Sequence, residues 1–383
     1  VRKIIFVCAV ILAALSIPQV AGASPQMVQH WGSFTGVASQ NSGAILSPQA
    51  VTIPDSANVV QIASSNSDQY ALTSDGKVWA WGGGWAGELG NGGNQSSMTP
   101  VQVQFPAGVA IAALPTDVMP FDTGLALDTQ GNAWGWGFNK DGELCMGNKK
   151  MYRMPVQLPF SNVTLLAGAG AHATYDAAGT LYACGLGRNG ELGTGNNADS
   201  TTPVQVANLN GANVTALTAS YANAGALMAN GNYYDWGYGA DGNNGGGNNS
   251  DSSTPVLVSL PAQVSLVALG GDLYGDGQTL AVLANGQMWA WGSDAHGQLG
   301  DGGTANQNSP ERIPLPGSVS SIMAIASSGT TSYAVSNDGG VWSWGNGADG
   351  QIGNGQQQDS GPVKVATGAT WVSATAHDVV IGG

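Results

Sequence analysis

Two sets of side chains fall among the glycines of this chain at places where the packing of strands gives no reason for them. One set holds Trp85, Phe138, Lys140, Arg188, Tyr238 and His296; the other holds Met119, Phe121, Asp122, His172, Tyr221, Asp272, Tyr274 and Asp276. Their chemistry is that of recognition, because aromatic anchors with scattered polar neighbours are what protein interfaces use. Trp85, Phe121, Phe138, Arg188, Tyr221, Tyr238, Tyr274 and His296 are therefore the candidate partner-binding residues. Trp85 is the sharpest of them, since the equivalent place elsewhere holds Lys140, Arg188, Ala240, Ala295 and Ala348. The plainer expectation is that several of these rings fold back as plugs over apolar gaps. A third is a lectin-like site, with the rings stacked on sugars and Asp117, Asp122, Asp272 and Asp276 as polar contacts or a cation site. The abundance of Asp and Gly in turns accounts for those acids without calcium.

Reactive chemistry has less to draw on. Four histidines show no metal-ligand spacing, and no Gly-x-Ser-x-Gly elbow or paired catalytic carboxylates stand out. The expectation is a non-enzyme without cofactor or metal. Cys145 and Cys184 are the cysteines left once a leader is set aside, and in an exported protein they either pair or remain two buried thiols.

That leader is residues 1–23. Arg2-Lys3, the apolar run Ile4 to Ile17 and the small-residue site Ala21-Gly22-Ala23 form the three zones of a secretory signal peptide, and the run is shorter than the roughly 20 residues of a spanning helix. Residues 24–383 then form a single domain that is secreted, periplasmic or on the cell surface, with no membrane span. Twenty-four acidic residues against ten basic ones give a net charge of −14, a field that repels nucleic acid and anionic lipid. Lys140, Lys149, Lys150 and Arg153 form the one basic concentration, and it reads as a solvated rim.

The elements that position the loop residues repeat. Trp-Gly recurs at Trp31, Trp81, Trp136, Trp236, Trp291 and Trp344, and Cys184-Gly185 fills the gap, so seven marks stand about 50 residues apart. Around each lies the order shown by Val59-Val-Gln-Ile-Ala63, Tyr70-Ala-Leu-Thr73, Asp75-Gly76, Val78-Trp-Ala-Trp81-Gly82, Gly87-Glu-Leu-Gly90 and Pro100-Val-Gln-Val103. Short alternating runs bounded by Asp-Gly or Asn-Gly predict four antiparallel strands per unit, and 59 glycines disfavour long helices. Four-stranded units without covering helices pack radially, so the fold class is all-β, a seven-bladed β-propeller. The last unit lacks its Trp-Gly strand, and the segment Met27 to Gly32 is expected to close that blade. Antiparallel geometry puts the loop joining strands one and two at the same end as the loop joining strands three and four. Both candidate sets therefore share one mouth.

Strings such as Val341-Trp-Ser-Trp-Gly-Asn-Gly-Ala-Asp-Gly-Gln-Ile-Gly353 and Trp291-Gly-Ser-Asp-Ala-His-Gly-Gln-Leu-Gly300 resemble the repeat of the regulator-of-chromosome-condensation family. The resemblance implies a seven-bladed propeller. The namesake's guanine-nucleotide exchange and chromatin binding fit an exported acidic chain poorly, whereas the secreted propellers that inhibit β-lactamases are similar in architecture. The expected function is a secreted, monomeric, non-catalytic propeller that binds an extracellular or periplasmic protein; carbohydrate is the alternative partner.

Overall fold

An Asp-Gly or Asn-Gly pair after a second strand turns it back on the third. The loop Ser74-Asp75-Gly76 carries Gly76 at φ 79°, in the left-handed region, and closes through Gly76 N–H to Thr73 O at 2.9 Å. The computed structural model describes residues 28–33, 44–54, 58–115, 119, 121–169, 171–209, 213–271, 277–314, 319–375 and 378–383. The leader, Asp117, Asp272, Tyr274, Asp276 and His377 lie outside the described residues.

Seven four-stranded antiparallel sheets form the molecule, six of them running in sequence order from the first strand to the fourth. The first blade comprises β3 (Val59–Ser64), β4 (Asp68–Thr73), β5 (Val78–Gly82) and β6 (Ser97–Gln102). The second comprises β7 (Ile111–Ala113), β8 (Thr123–Asp128), β9 (Ala133–Gly137) and β10 (Tyr152–Gln157). Four more blades follow in residues 163–366. First strands of neighbouring blades lie against one another, while fourth strands are the more exposed ones. The array is thus radial, as the repeat spacing predicts.

The last blade is closed by two N-terminal strands rather than one. Its order is β2 (Ile45–Val51), β1 (Val28–Gly32), β28 (Asp378–Gly382), β27 (Trp371–Ala374), with Val28 opposite Gly382 and Gly32 opposite Asp378. Pro48 in β2 is tolerated because a fourth strand has a free edge.

One interblade contact recurs around the ring. In five of the six Trp-Gly strands the buried indole donates its Nε1–H to a backbone carbonyl in the Gly-(Glu/Gln)-Leu-Gly loop, or its Gly-Asn-Asn-Gly variant, of the preceding blade; the buried Trp81 Nε1 has no such partner among the described residues. The pairs are Trp136 to Glu88 at 2.7 Å, Trp236 to Glu191 at 2.8 Å, Trp291 to Asn243 at 3.1 Å, Trp344 to Gln298 at 3.0 Å and Trp31 to Gln351 at 2.8 Å. The final glycine of that loop has two reasons to be glycine. At Gly90, φ is 61°, and a Cβ there would stand 2.9 Å from the Trp136 Nε1.

The junction between the second and third blades uses a different pair. Cys145 takes the place of the final glycine, in Gly142-Glu143-Leu144-Cys145, at φ 58°, and Cys184 takes the place of the tryptophan. The two are joined by a disulfide with their Cα atoms 5.5 Å apart.

Candidate functional site

The mouth between the first and second blades gathers three of the candidate side chains. Trp85 lies in the β5–β6 loop, Phe121 and Asp122 in the turn before β8, and Phe138 just after β9. The two loops of the second blade are tied together: Phe138 N–H donates to Asp122 O at 2.9 Å, and the Thr123 hydroxyl lies 2.9 Å from both Phe121 O and Phe138 O. This lacing sets Phe138 edge-on between two rings, with centroids 5.8 Å from Trp85 and 6.0 Å from Phe121.

Trp85 is 46% exposed, yet it is held. Its Nε1–H donates to Asp122 Oδ2 at 2.7 Å, and Lys140 Nζ stands 6.0 Å from the ring centroid, within the range of a cation–π contact. Asp122 reaches this position through a left-handed backbone, φ 47°, which costs a non-glycine residue some conformational energy.

Below the aromatic layer lie three carboxylates. Asp68 opens β4, Glu88 belongs to the Gly87-Glu88-Leu89-Gly90 loop, and Asp122 comes from the next blade. All three are buried, and one oxygen from each falls within 4.8 Å of the others. The Ser67 hydroxyl donates to Asp122 Oδ1 at 2.9 Å and the Ser65 hydroxyl to Asp68 Oδ2 at 3.0 Å. Glu88 Oε2 accepts from Ala86 N–H at 2.7 Å. Burial pushes the Glu88 carboxyl up to about 7, with the Asp122 charge adding to it. Burial also raises Asp122, against the Ser67 and Trp85 hydrogen bonds that favour its ionised form.

The other described candidates do not join this group. Arg188 is exposed and Tyr221 half-buried near it, where burial and then Asp141 and Glu191 raise the phenol. The Tyr238 carbonyl accepts from Asn223 Nδ2 at 2.7 Å, fixing its loop. His296 Nδ1 pairs with Asp359 Oδ2 at 2.9 Å beside a cavity of about 470 Å³ lined by Pro314 and Pro362, towards the outer strands. Met119 is buried with the core of the first two blades, and His172 is buried with its pKa lowered to about 4 by desolvation. These two are packing residues, not mouth residues.

Asp68 and Glu88 are what the loop-by-loop reading missed. Each sits at an ordinary repeat position, and the signal was available by comparing positions. The strand-two opener is Asp68, Thr123, His172, Asn223, Gln278 or Thr331, and the second residue of the loop string is Glu88, Glu143, Glu191, Asn243, Gln298 or Gln351. Acids coincide at one junction among these.

With this geometry in hand, likeness to known proteins can be stated. The profile described as regulator of chromosome condensation (RCC1) repeat matches residues 75–114, 178–227, 285–335 and 338–378. The chain is similar to the ultraviolet-B receptor UVR8 of Arabidopsis thaliana, 26% identical over 287 residues that make up 74% of this chain and 64% of the receptor. RCC1 domain-containing protein RUG3, mitochondrial, of the same plant is 30% identical over 307 residues, 74% and 64% of the two chains. The E3 ubiquitin-protein ligase HERC2 of Homo sapiens is 29% identical over 303 residues, 77% of this chain and 6% of the ligase. The chain therefore spans less than two thirds of the length of these relatives. Among solved structures, human WBSCR16 superposes with a TM-score of 0.80 at 18% identity, covering 94% of this chain and 99% of that one. Prp20p of Saccharomyces cerevisiae gives 0.80 at 20% identity, covering 94% and 92%. Both share the fold. Four stretches of this propeller match the RCC1 repeat, and the chain is similar to RCC1-repeat proteins over about three quarters of its length.

Proposed function

We propose that the chain is an exported, monomeric, non-catalytic binding propeller that engages a protein partner through the mouth around Trp85. The observation that carries this reading is an indole left 46% exposed while its nitrogen, one edge and one face are held by Asp122, Phe138 and Lys140. A large ring already fixed in place loses little conformational freedom on docking, which is what makes aromatic anchors dominate interfaces. The acidic balance of the chain favours a partner with basic surface. Support by analogy comes from the same fold: yeast RCC1 (Prp20) is known in a complex with Kap60. Residues 1–23 supply the export signal in this reading.

The test is affinity capture from the extracellular or periplasmic fraction with the wild-type chain beside Trp85→Ala. The expected outcome is a partner whose affinity falls by about 30-fold, roughly 2 kcal/mol, in the variant while its thermal midpoint is unchanged. Equal capture by both proteins would sink the assignment of this face. Binding to immobilised glycans that Trp85→Ala abolishes would replace the protein partner by a carbohydrate.

A further inference from the structure

We infer that Asp68, Glu88 and Asp122, with the Ser67 hydroxyl, form a binding site for one hard divalent cation, of the calcium type, between the first and second blades. The donor set is all oxygen. Its three carboxylate oxygens lie within 4.8 Å of one another, the spread that a single ion with ligands at about 2.3 to 2.6 Å accommodates. The three residues are 0 to 2% exposed, so an ion held there gives up most of its water; calcium tolerates that, whereas magnesium dehydrates reluctantly.

Two observations separate this cluster from an incidental group of acids. Glu88 Oε1 is fully buried and accepts no hydrogen bond. The second is that these oxygens converge on Gly83: a Cβ built there would stand 3.1 Å from Glu88 Oε1, 3.1 Å from Asp68 Oδ1 and 2.5 Å from the Ser67 hydroxyl, too close for any side chain. At the same position after the Trp-Gly or Cys-Gly mark, the other blades carry Phe138, Leu186, Tyr238, Ser293 and Asn346. Only glycine fits where the oxygens converge.

The repeat shows how particular the arrangement is. Strand register fixes the residue before each opener, which is Asp122 in the second blade and Ala171, Ala222, Gly277 and Thr330 in the later ones. At those later junctions the loop residues Glu143, Glu191, Asn243 and Gln298 therefore face an apolar or neutral residue. Three buried carboxylates at one junction repel one another, and either a shared proton or a bound cation must relieve that repulsion.

Calorimetric titration of calcium chloride into the chelator-stripped full chain at pH 7.5 decides between them, with thermal midpoints read in parallel. The expected result is saturable binding at one ion per chain and a midpoint that rises with calcium, with a much smaller response to magnesium. Glu88→Gln keeps the side-chain shape that Gln298 and Gln351 show in other blades, and it should lose calcium binding and the calcium-dependent shift while its metal-free midpoint is equal to or above that of the wild type. Asp122→Asn, which retains an acceptor for Trp85, should bind at least tenfold more weakly. Absence of calcium heat in the wild type, or a calcium shift that both variants share, overturns the site; in the first case a shared proton is what neutralises the cluster.

Discussion

Buried ionisable residues in this ring pull its stability in opposite directions with pH. Burial pushes the Glu143 carboxyl up to about 8, so the folded chain keeps a proton that the unfolded chain releases near its ordinary 4.5. Its contribution is therefore unaltered below about pH 4.5, is lost as pH rises towards 8, and stays lost above that. His172 behaves oppositely. With its pKa lowered to about 4, stability is complete above about 6.5 and is lost as pH falls towards 4. Glu143→Gln carries the neutral side chain that Gln298 and Gln351 already use to accept a backbone N–H two residues earlier. The variant should melt a few degrees above the wild type at pH 8 and at the same temperature at pH 4.5, by calorimetry across that range.

At the scale of elements, the interblade contact is the unit that repeats, and the disulfide is its one covalent form among the described residues. Reverting one half alone breaks the fit. Cys145→Gly leaves a void against Cys184, while Cys184→Trp drives an indole into the Cys145 side chain, the clash that Gly90 avoids against Trp136. The double change Cys145→Gly, Cys184→Trp rebuilds the contact of the other junctions. It should melt closer to the wild type than either single variant and be indifferent to reductant, whereas the wild type should lose stability when reduced. The blades, their hairpins and the ring were legible in the sequence because Trp-Gly and Asp-Gly each mark a steric requirement that recurs at a fixed interval. The strand Ile45–Val51 was not read, although Pro48-Gln-Ala-Val51 repeats the pattern of Pro100-Val-Gln-Val103, since no Gly-(Glu/Gln)-Leu-Gly string links it to the Trp31-Gly32 mark. Of the mouth, Trp85, Phe121 and Phe138 were found by standing outside the strand stripe. Asp68 and Glu88 were not, because their meeting with Asp122 depends on how one blade stacks on the next, and each taken singly looks like ordinary repeat chemistry.

For the whole molecule, the feature with the widest reach is the last blade. Its β1 and β28 are antiparallel neighbours with Val28 opposite Gly382, so the start of one and the end of the other lie side by side. They are the third and second strands of that blade, the two that Ser74-Asp75-Gly76 connects in the first blade and Asn337-Asp338-Gly339 in the sixth. The opening of the ring thus falls where every other blade has a hairpin. A short Asn-Gly type loop across that point would make the backbone circular, and a cut elsewhere would make it linear again. The chain is accordingly a candidate for circular permutation: residues 28–383 rejoined there and opened between the third and fourth blades, near residues 210–212, should fold to the same ring with a matching circular-dichroism spectrum. Topologically, the first blade is first only by where the chain happens to be cut.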